Sequence, residues 1–342
     1  MSPYRALYGG KRVLVTGGLG FVGSNLTIRL LELGATVLVV DSQIPETGAN
    51  PHNVESVRDH PRLSVRTTDV RDVLAMERLV RGQDVIFNLA GQVSHLDSMQ
   101  DPFTDLEINC RSQLALLEAC RHRAPQTKVV FASTRQIYGR VAEELLPVSE
   151  RQPPNPVDVN GINKLAGERY HTLYNNVYNL RTSVLRLTNT YGPRMLVKHN
   201  RQTALGWLIR QALDGEDITI FGDGSQLRDY TYVDDAVDAF LLAGSSDAAN
   251  GQTFNLGGVA PMSLRDTTEV LIDVAGSGSY HLEPFPDELN RIQIGSVYVD
   301  DAKVRRALGW KPKVGLREGL TRTVDFYRAH RAHYWSRSPA EA

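Results

Sequence analysis

Two patterns of apolar and polar residues alternate along the first 190 residues of the chain. Short runs, most of them continuously apolar, are typical of strands buried on both faces of a parallel sheet. They fall at 12–16, 36–40, 63–67, 85–89, 128–132 and 182–187. Amphipathic stretches lie between them, notably Thr104–Arg123 and Val159–Tyr178. The alternation predicts an α/β fold with a doubly wound parallel sheet, which binds ligands beyond the carboxyl ends of its strands.

The first junction between a strand and a helix carries the most specific motif. Residues 12–16 run directly into Gly17-Gly18-Leu19-Gly20-Phe21-Val22-Gly23, and the second strand is followed by Asp41. Such glycines let the backbone approach a pyrophosphate at a helix N-terminus, while the acid is placed to bond an adenosine ribose. A carboxylate there repels a 2′-phosphate, so the motif favours NAD over NADP. A glycine-rich turn in some other α/β protein is the alternative.

The rhythm becomes less regular after Tyr191-Gly192-Pro193, with shorter strands and more loops. We therefore expect a Rossmann domain of residues 1–187 plus about 229–258. A smaller C-terminal α/β lobe of about 188–228 and 259–332 would bind the substrate, and 333–342 would be a tail.

Composition narrows the classes of function. The 342 residues carry a net charge of −1, with both signs interspersed and no basic tract, so we expect no nucleic-acid partner. The N-terminus lacks the apolar core of a signal peptide, and no apolar run reaches the length of a membrane span. Cys110 and Cys120 have no metal-type spacing and are expected to be thiols in a reducing cytoplasm. These features predict a cytoplasmic protein without a metal site.

Further segments follow the glycine loop in chain order: Asp69-Val70, Asn88-Leu89-Ala90-Gly91, Asn109, Ala132-Ser133-Thr134-Arg135-Gln136-Ile137-Tyr138-Gly139, Arg186–Arg194, Gly222–Tyr230 and Leu308-Gly309-Trp310-Lys311-Pro312. In this order they resemble the motifs of the extended short-chain dehydrogenase/reductases, the NAD-dependent nucleotide-sugar epimerase and dehydratase family. The resemblance covers nearly the whole chain.

The resemblance implies roles for individual residues. NAD would be held by Gly17, Gly20, Phe21, Val22, Gly23, Asp41, Asp69, Val70, Leu89, Ala90 and Lys164. A nucleotide-diphosphate sugar would be bound by Thr134, Asn189 and Arg228. Arg291 is a further candidate for the diphosphate because it lies in a proline-rich loop, although a surface role is equally open. The family pairs the helices that match 104–123 and 159–178 with their copies, which implies a homodimer.

The chain departs from the family pattern at the catalytic residues. The family places a catalytic tyrosine four residues before a lysine on one helix, and here Asn160 precedes Lys164 at that spacing. A lysine ammonium favours the phenolate form of a neighbouring phenol, which then takes a hydroxyl proton. An amide can orient a hydroxyl but does not titrate, so Asn160 cannot be the general base.

Two other residues are candidates for the missing chemistry. His95 lies just beyond a strand end that should face the sugar, and an imidazole titrates near neutral pH. A histidine bonded to backbone is the alternative for that position. Thr134 can polarise a sugar hydroxyl. Asp158, at the start of the Lys164 helix, is interpreted as an N-terminal cap or a partner of the helix dipole.

The two residues that follow Thr134 in the sequence indicate which reaction to expect. Hexose 4,6-dehydratases of the family follow this threonine with Asp-Glu, whereas here Arg135 and Gln136 follow, and neither is a general base. The pattern favours an NAD-dependent epimerase that transiently oxidises the sugar to a keto sugar, with an atypical base. A dehydratase, decarboxylase or ketoreductase on the same scaffold is one alternative. A non-catalytic protein that binds NAD and a sugar nucleotide is the other.

Overall fold

A seven-stranded, fully parallel sheet forms the centre of the fold. The computed structural model describes residues 4–45, 47–201, 204–286 and 294–335. The strands of this sheet are β1 (Arg12–Thr16), β2 (Thr36–Asp41), β3 (Leu63–Thr67), β4 (Val85–Asn88), β5 (Lys128–Thr134), β6 (Arg181–Leu187) and β10 (Thr253–Leu256). Their spatial order is β10-β6-β5-β4-β1-β2-β3, so successive strands are added to one side of β1 up to β3 and to its other side from β4 onwards. A reversal of strand order of this kind is where open α/β sheets bind ligands.

Five further strands form two smaller sheets. They are β7 (Asn189–Tyr191), β8 (Asp217–Phe221), β9 (Leu227–Tyr232), β11 (Pro261–Ser263) and β12 (Ser279–Glu283). One sheet has the order β11-β9-β7, and the other pairs β12 with β8. All but β10 of the later strands therefore lie outside the main sheet.

Helices flank the sheets along the whole chain. Their bounds are α1 (Tyr4–Tyr8), α2 (Phe21–Glu32), α3 (Val73–Leu79), α4 (His95–Gln100), α5 (Pro102–Leu106), α6 (Ser112–Arg123), α7 (Val159–Tyr178), α8 (Ala204–Asp214), α9 (Val233–Ser245), α10 (Leu264–Ala275), α11 (Ala302–Leu308) and α12 (Leu316–His330). None of the helices in the described ranges is long and apolar enough to cross a membrane.

The main sheet is buried on both faces except at its edge strand β3, whose residues are mostly exposed. Side chains such as Val13, Val15 and Phe87 join the core on the side of α2 and α9. Their neighbours in sequence, Leu14 and Ile86, join a second core on the side of α3, α6 and α7. The doubly wound α/β sheet expected from the sequence is thus present.

The predicted helix over 104–123 is interrupted. It consists of α5, a π-helical turn at Glu107–Arg111, and α6. The turn contains the buried Asn109, and such π-helical insertions often accompany functional sites. The other predicted helix coincides with α7.

The first residues of the predicted tail are packed against the fold. His333 stacks on His52 with ring centroids 3.7 Å apart, and the Tyr334 hydroxyl donates to Asn53 Oδ1 at 2.7 Å. Trp335 is only 5% exposed, and its indole N–H donates to Asp214. Aromatic burial therefore anchors the chain through residue 335.

Candidate active site at the carboxyl ends of the strands

The loop after β1 is too tightly packed for side chains. A Cβ on Gly23 would lie 2.1 Å from Gly17 O, and one on Gly17 would lie 2.9 Å from Ala90 N. Gly17 also has a φ of +68°, which disfavours any residue with a Cβ. The glycines therefore let the loop backbone lie directly against the end of β4 and the first turn of α2.

The N-terminus of α2 follows this loop. Gly20 caps the helix without any side-chain hydrogen bond, so Phe21 and Val22 begin a helix whose first N–H groups are left for another acceptor. A helix N-terminus of this kind behind a glycine loop suits the pyrophosphate of a dinucleotide. The residues present thus fit NAD.

Asp41, the last residue of β2, forms hydrogen bonds with the backbone of two neighbouring loops. Its two carboxylate oxygens accept hydrogen bonds from Leu19 N and Gln43 N, each at 3.0 Å. Burial raises the pKa of Asp41, while these two bonds act in the opposite direction. The carboxylate lies at the strand end expected to contact the adenosine ribose.

The other predicted cofactor contacts lie at neighbouring strand ends. Leu89 N and Ala90 N both donate to Thr16 Oγ1 at 3.1 Å, which joins the ends of β4 and β1. Asp69 follows β3 and forms an ion pair with Arg71 at 2.7 Å, and this interaction lowers the pKa of Asp69. Val70 beside it packs against the second core.

Asn160 belongs to a buried polar cluster around Asp105. The Asp105 carboxylate accepts hydrogen bonds from the amides of Asn109 at 3.0 Å, Asn160 at 3.1 Å and Asn163 at 2.8 Å. The Asn160 amide also donates to Gln92 O at 2.8 Å. Asn160 therefore ties α7 to α5 and to the loop after β4.

Lys164 lies one turn further along α7 and is only 5% exposed. Its Nζ donates to Ala132 O at 3.2 Å. Burial lowers the pKa of Lys164 to about 8, although Asp105 and Glu168 oppose the shift. A Cβ on Gly91 would lie 2.8 Å from Lys164 Nζ. The absence of a side chain at Gly91 therefore leaves room for the ammonium group beside the end of β4.

His95 begins α4, and its Nδ1 lies 3.0 Å from Asp158 Oδ2. The pair has the separation of an ion pair without the alignment of a hydrogen bond. Asp158 also accepts a bond from Gly161 N at 2.7 Å, which is the N-terminal cap of α7 predicted from the sequence. Burial raises the pKa of Asp158, but the contacts with His95, Gly161 and Gln136 outweigh it, and the pKa lies below its usual value.

Thr134 is connected to this pair through Gln136. Thr134 ends β5, and its Oγ1 accepts a hydrogen bond from Gln136 N at 3.1 Å. The Gln136 side chain in turn donates to Asp158 Oδ2 at 3.1 Å. The structure thus links the candidates Thr134 and His95 through Gln136 and Asp158.

The candidates for substrate binding lie at β7 and β9. Asn189 Oδ1 accepts from Arg135 Nη2 at 2.9 Å, and its amide donates to Asp229 O at 3.0 Å. Arg228 donates to the carbonyls of Leu227 and Gly295. Burial and the neighbouring Arg135 lower the pKa of Arg228 to about 10. Arg291 lies outside the described residues.

The guanidinium groups of Arg135 and Arg228 lie near the buried carboxyl group of Asp229. Burial raises the pKa of Asp229 to about 6, and Arg135 opposes this shift. Arg135 Nη1 is buried and has no partner among the described residues. The surplus of positive charge suits an anionic ligand.

Several of these residues were missed by the sequence reasoning. Asp105 and Gln92 received no role, although Asp105 and Asn109 stand four residues apart on a predicted helix and hence share one of its faces. Asp158 was expected only as a cap. Within the described residues, no cluster of three or more His, Cys, Asp or Glu side chains could hold a metal ion.

The glycine loop, the strand-end acid and the reversal in strand order define a dinucleotide-binding α/β protein. More specifically, the chain belongs to the NAD dependent epimerase/dehydratase family, whose model matches residues 13–257.

Relatives of known name support this assignment. The chain is 34% identical over 322 residues to a UDP-glucose 4-epimerase of Mycolicibacterium smegmatis, covering 93% of this chain and 98% of the relative. It is 30% identical over 332 residues to a dTDP-glucose 4,6-dehydratase of Streptomyces griseus, covering 96% and 97%. Among solved structures, the UDP-glucose 4-epimerase of Thermus thermophilus in complex with NAD is 33% identical, with a TM-score of 0.82 and coverage of 93% and 99%. The comparisons thus show an NAD-dependent family of enzymes that act on nucleotide sugars.

Proposed function

We propose that this protein is an NAD-dependent epimerase of a nucleotide-diphosphate sugar in which His95 is the general base. The glycine loop, the N-terminus of α2 and Asp41 would hold NAD, which would supply reversible hydride transfer, so that the keto sugar would exist only transiently. The similarity to two UDP-glucose 4-epimerases supports epimerisation over the other reactions of the family. Arg135 and Gln136, where dehydratases carry an acid pair, support the same choice.

Each candidate side chain has a role in this proposal. Thr134 orients the reacting hydroxyl, and His95 takes its proton and later returns it. Lys164 bonds the nicotinamide ribose and adds positive charge beside the reacting carbon. Asn189 binds the substrate and Arg228 holds its diphosphate, with Arg291 as a further candidate for the diphosphate.

The arrangement of His95 carries the proposal. Its Nδ1 is buried beside Asp158, while 35% of the side chain is exposed. A bifunctional imidazole fixed at one nitrogen is suited to exchange a proton at the other. Asn160, by contrast, donates its amide protons to Asp105 and Gln92, so it supports the site as framework.

The experiment is NMR of the protein in D2O with UDP-, dTDP-, GDP- and CDP-sugars, with and without added NAD. We expect a new isomer that carries no deuterium, as internal return of hydride requires. Deuterium beside the oxidised carbon would instead indicate enolisation and a second acid–base pair.

The His95→Asn variant tests the base. Loss of general-base catalysis typically lowers kcat by about 10²–10⁴-fold, and we expect a loss in this range with binding of the sugar nucleotide retained. The matched control is His122→Asn, because His122 is an exposed histidine that pairs with Glu118 on its own helix. Unchanged turnover in His95→Asn would contradict the assignment of the base.

A binding protein without catalysis is the second candidate, favoured by the fixed amide of Asn160. Sugar nucleotides that bind to the wild-type protein without any turnover would support it. Asn160→Tyr adds a second criterion: a gain in turnover would indicate a decayed site, and a loss would indicate a pocket built around the amide.

We also propose a cytoplasmic homodimer with the domain division given above. A Rossmann domain of 1–187 plus about 229–258 is supported by β10, which rejoins the main sheet beside β6. The substrate-binding lobe would then contain the β12-β8 sheet together with β7 and β11, while β9 begins in this lobe and continues into the Rossmann domain.

A further inference from the structure

We propose that Asp158 is a positioning residue that holds His95 in the tautomer with a proton on Nδ1 and a free lone pair on Nε2. The inference rests on the proposed function of His95 and extends it to a second residue. It concerns the position of a proton on the His95 imidazole, so it can be tested in the absence of substrate.

The two oxygens of Asp158 have separate partners. Oδ1 accepts from Gly161 N at 2.7 Å and caps α7. Oδ2 lies 3.0 Å from His95 Nδ1 and accepts from Gln136 Nε2 at 3.1 Å. A cap needs only one acceptor, so the second oxygen is available to the imidazole.

The charge of Asp158 is preserved although its side chain is entirely buried. Its pKa lies below the usual value, because contacts from α4, from α7 and from the segment after β5 outweigh the effect of burial. An ionised carboxylate is an acceptor only, so it favours a proton on the facing nitrogen of a neutral imidazole over a lone pair there. Nδ1 has no other partner among the described residues.

The neighbouring contacts fix the position of this pair. Ser94 caps α4 by accepting from Asp97 N at 3.0 Å, which sets the backbone of His95. Asn160 N donates to Ser98 Oγ at 3.3 Å and joins α4 to α7. The histidine and the carboxylate therefore stand at the starts of two helices that are bonded to each other.

The consequence for the reaction is a defined proton path. The O–H bond of the sugar hydroxyl breaks as an N–H bond forms at Nε2, and the resulting imidazolium is stabilised by the carboxylate at Nδ1. The same proton returns to oxygen when the sugar is reduced again. With the opposite tautomer, Nε2 would already carry a proton and could not act as the base.

The test is Asp158→Asn, read by NMR of the protein labelled with ¹⁵N at histidine, without substrate. The Oδ1 of the amide can still cap α7, whereas its NH2 group removes the carboxylate beside His95. We expect the wild-type His95 signals to report a proton on Nδ1, and those of the variant to move towards a proton on Nε2. The His95→Asn spectrum assigns the signals.

Kinetics give the second measurement. We expect kcat to fall by about 10²–10³-fold in Asp158→Asn with KM changed less than about threefold. Asp72→Asn is the control, because Asp72 likewise caps a helix, α3, through Ala75 N at 3.0 Å but lies after β3, away from His95. Should Asp158→Asn fail to fold, Asp158→Ser preserves a good cap residue and removes the carboxylate equally.

The outcomes separate the two proposals. A wild-type His95 with its proton on Nε2, or a tautomer unchanged by the substitution, would overturn the role of Asp158. A tautomer that changes while His95→Asn keeps full turnover would support the positioning by Asp158 and overturn His95 as the base.

Discussion

At the scale of single residues, the buried ammonium group of Lys164 lowers the stability of the folded protein. Its folded-state pKa of about 8 lies below the value of 10.5 expected for a free lysine. The folded protein therefore binds fewer protons than the unfolded chain between these pH values, and stability rises with pH across that window. Below pH 8 the buried ammonium reduces stability.

We expect Lys164→Met to stabilise the protein without ligand at pH 7 while abolishing turnover. The shift corresponds to at most about 3 kcal/mol, and the lost bond to Ala132 O offsets about 1 kcal/mol of it. Urea unfolding at pH 7 should therefore show a gain of about 1–2 kcal/mol, and at pH 10.5 the gain should be absent. A variant that is less stable than the wild type at pH 7 would contradict this account.

At the scale of elements, the cluster around Asp105 joins α5, the π-helical turn and α7. The two carboxylate oxygens of Asp105 accept hydrogen bonds from the side-chain amides of Asn109, Asn160 and Asn163. Buried donors that lose their acceptor cost about 1–3 kcal/mol each. The geometry of the helix that carries Lys164 thus depends on one residue of a neighbouring helix.

We expect Asp105→Asn to lower the free energy of unfolding by about 2–4 kcal/mol, because its NH2 group would face amides that are themselves donors. Asp101→Asn serves as the control, since Asp101 caps α5 through Thr104 N and is exposed; it should cost less than about 1 kcal/mol. Chemical denaturation of both variants measures these losses. Equal free energies of unfolding for Asp105→Asn and Asp101→Asn would mean that the cluster contributes little to stability.

The elements also show how far the sequence could predict this protein. Strand β1, the glycine loop and Asp41 are local in sequence, and their pattern predicted both the fold and the cofactor. The contact of Asn160 with Asp105 spans 55 residues, and no local pattern specifies it. The same holds for His95 and Asp158, where the cap was predictable from its position on α7 but the facing histidine was not.

At the scale of the whole molecule, α7 exposes a row of apolar side chains that nothing in the described chain covers. Ile162 is 54% exposed, Leu173 49% and Val177 56%, and Phe103 on α5 is 76% exposed. Ile162, Leu173 and Val177 recur at helical spacing on one helix. Exposed apolar rows of this kind mark interaction sites, in agreement with the proposed homodimer.

We expect the wild-type protein to sediment as a dimer at micromolar concentration and Leu173→Glu to sediment as a monomer. The substitution places a charge where the proposed interface excludes water, and burying an unpaired charge is costly. Val259→Glu is the matched control, because Val259 is 55% exposed but lies between β10 and β11, away from α7, and should leave the dimer intact. The far-ultraviolet circular dichroism of both variants should match that of the wild type. A wild-type monomer, or a dimer that persists in Leu173→Glu, would show that this face of α7 is not the interface.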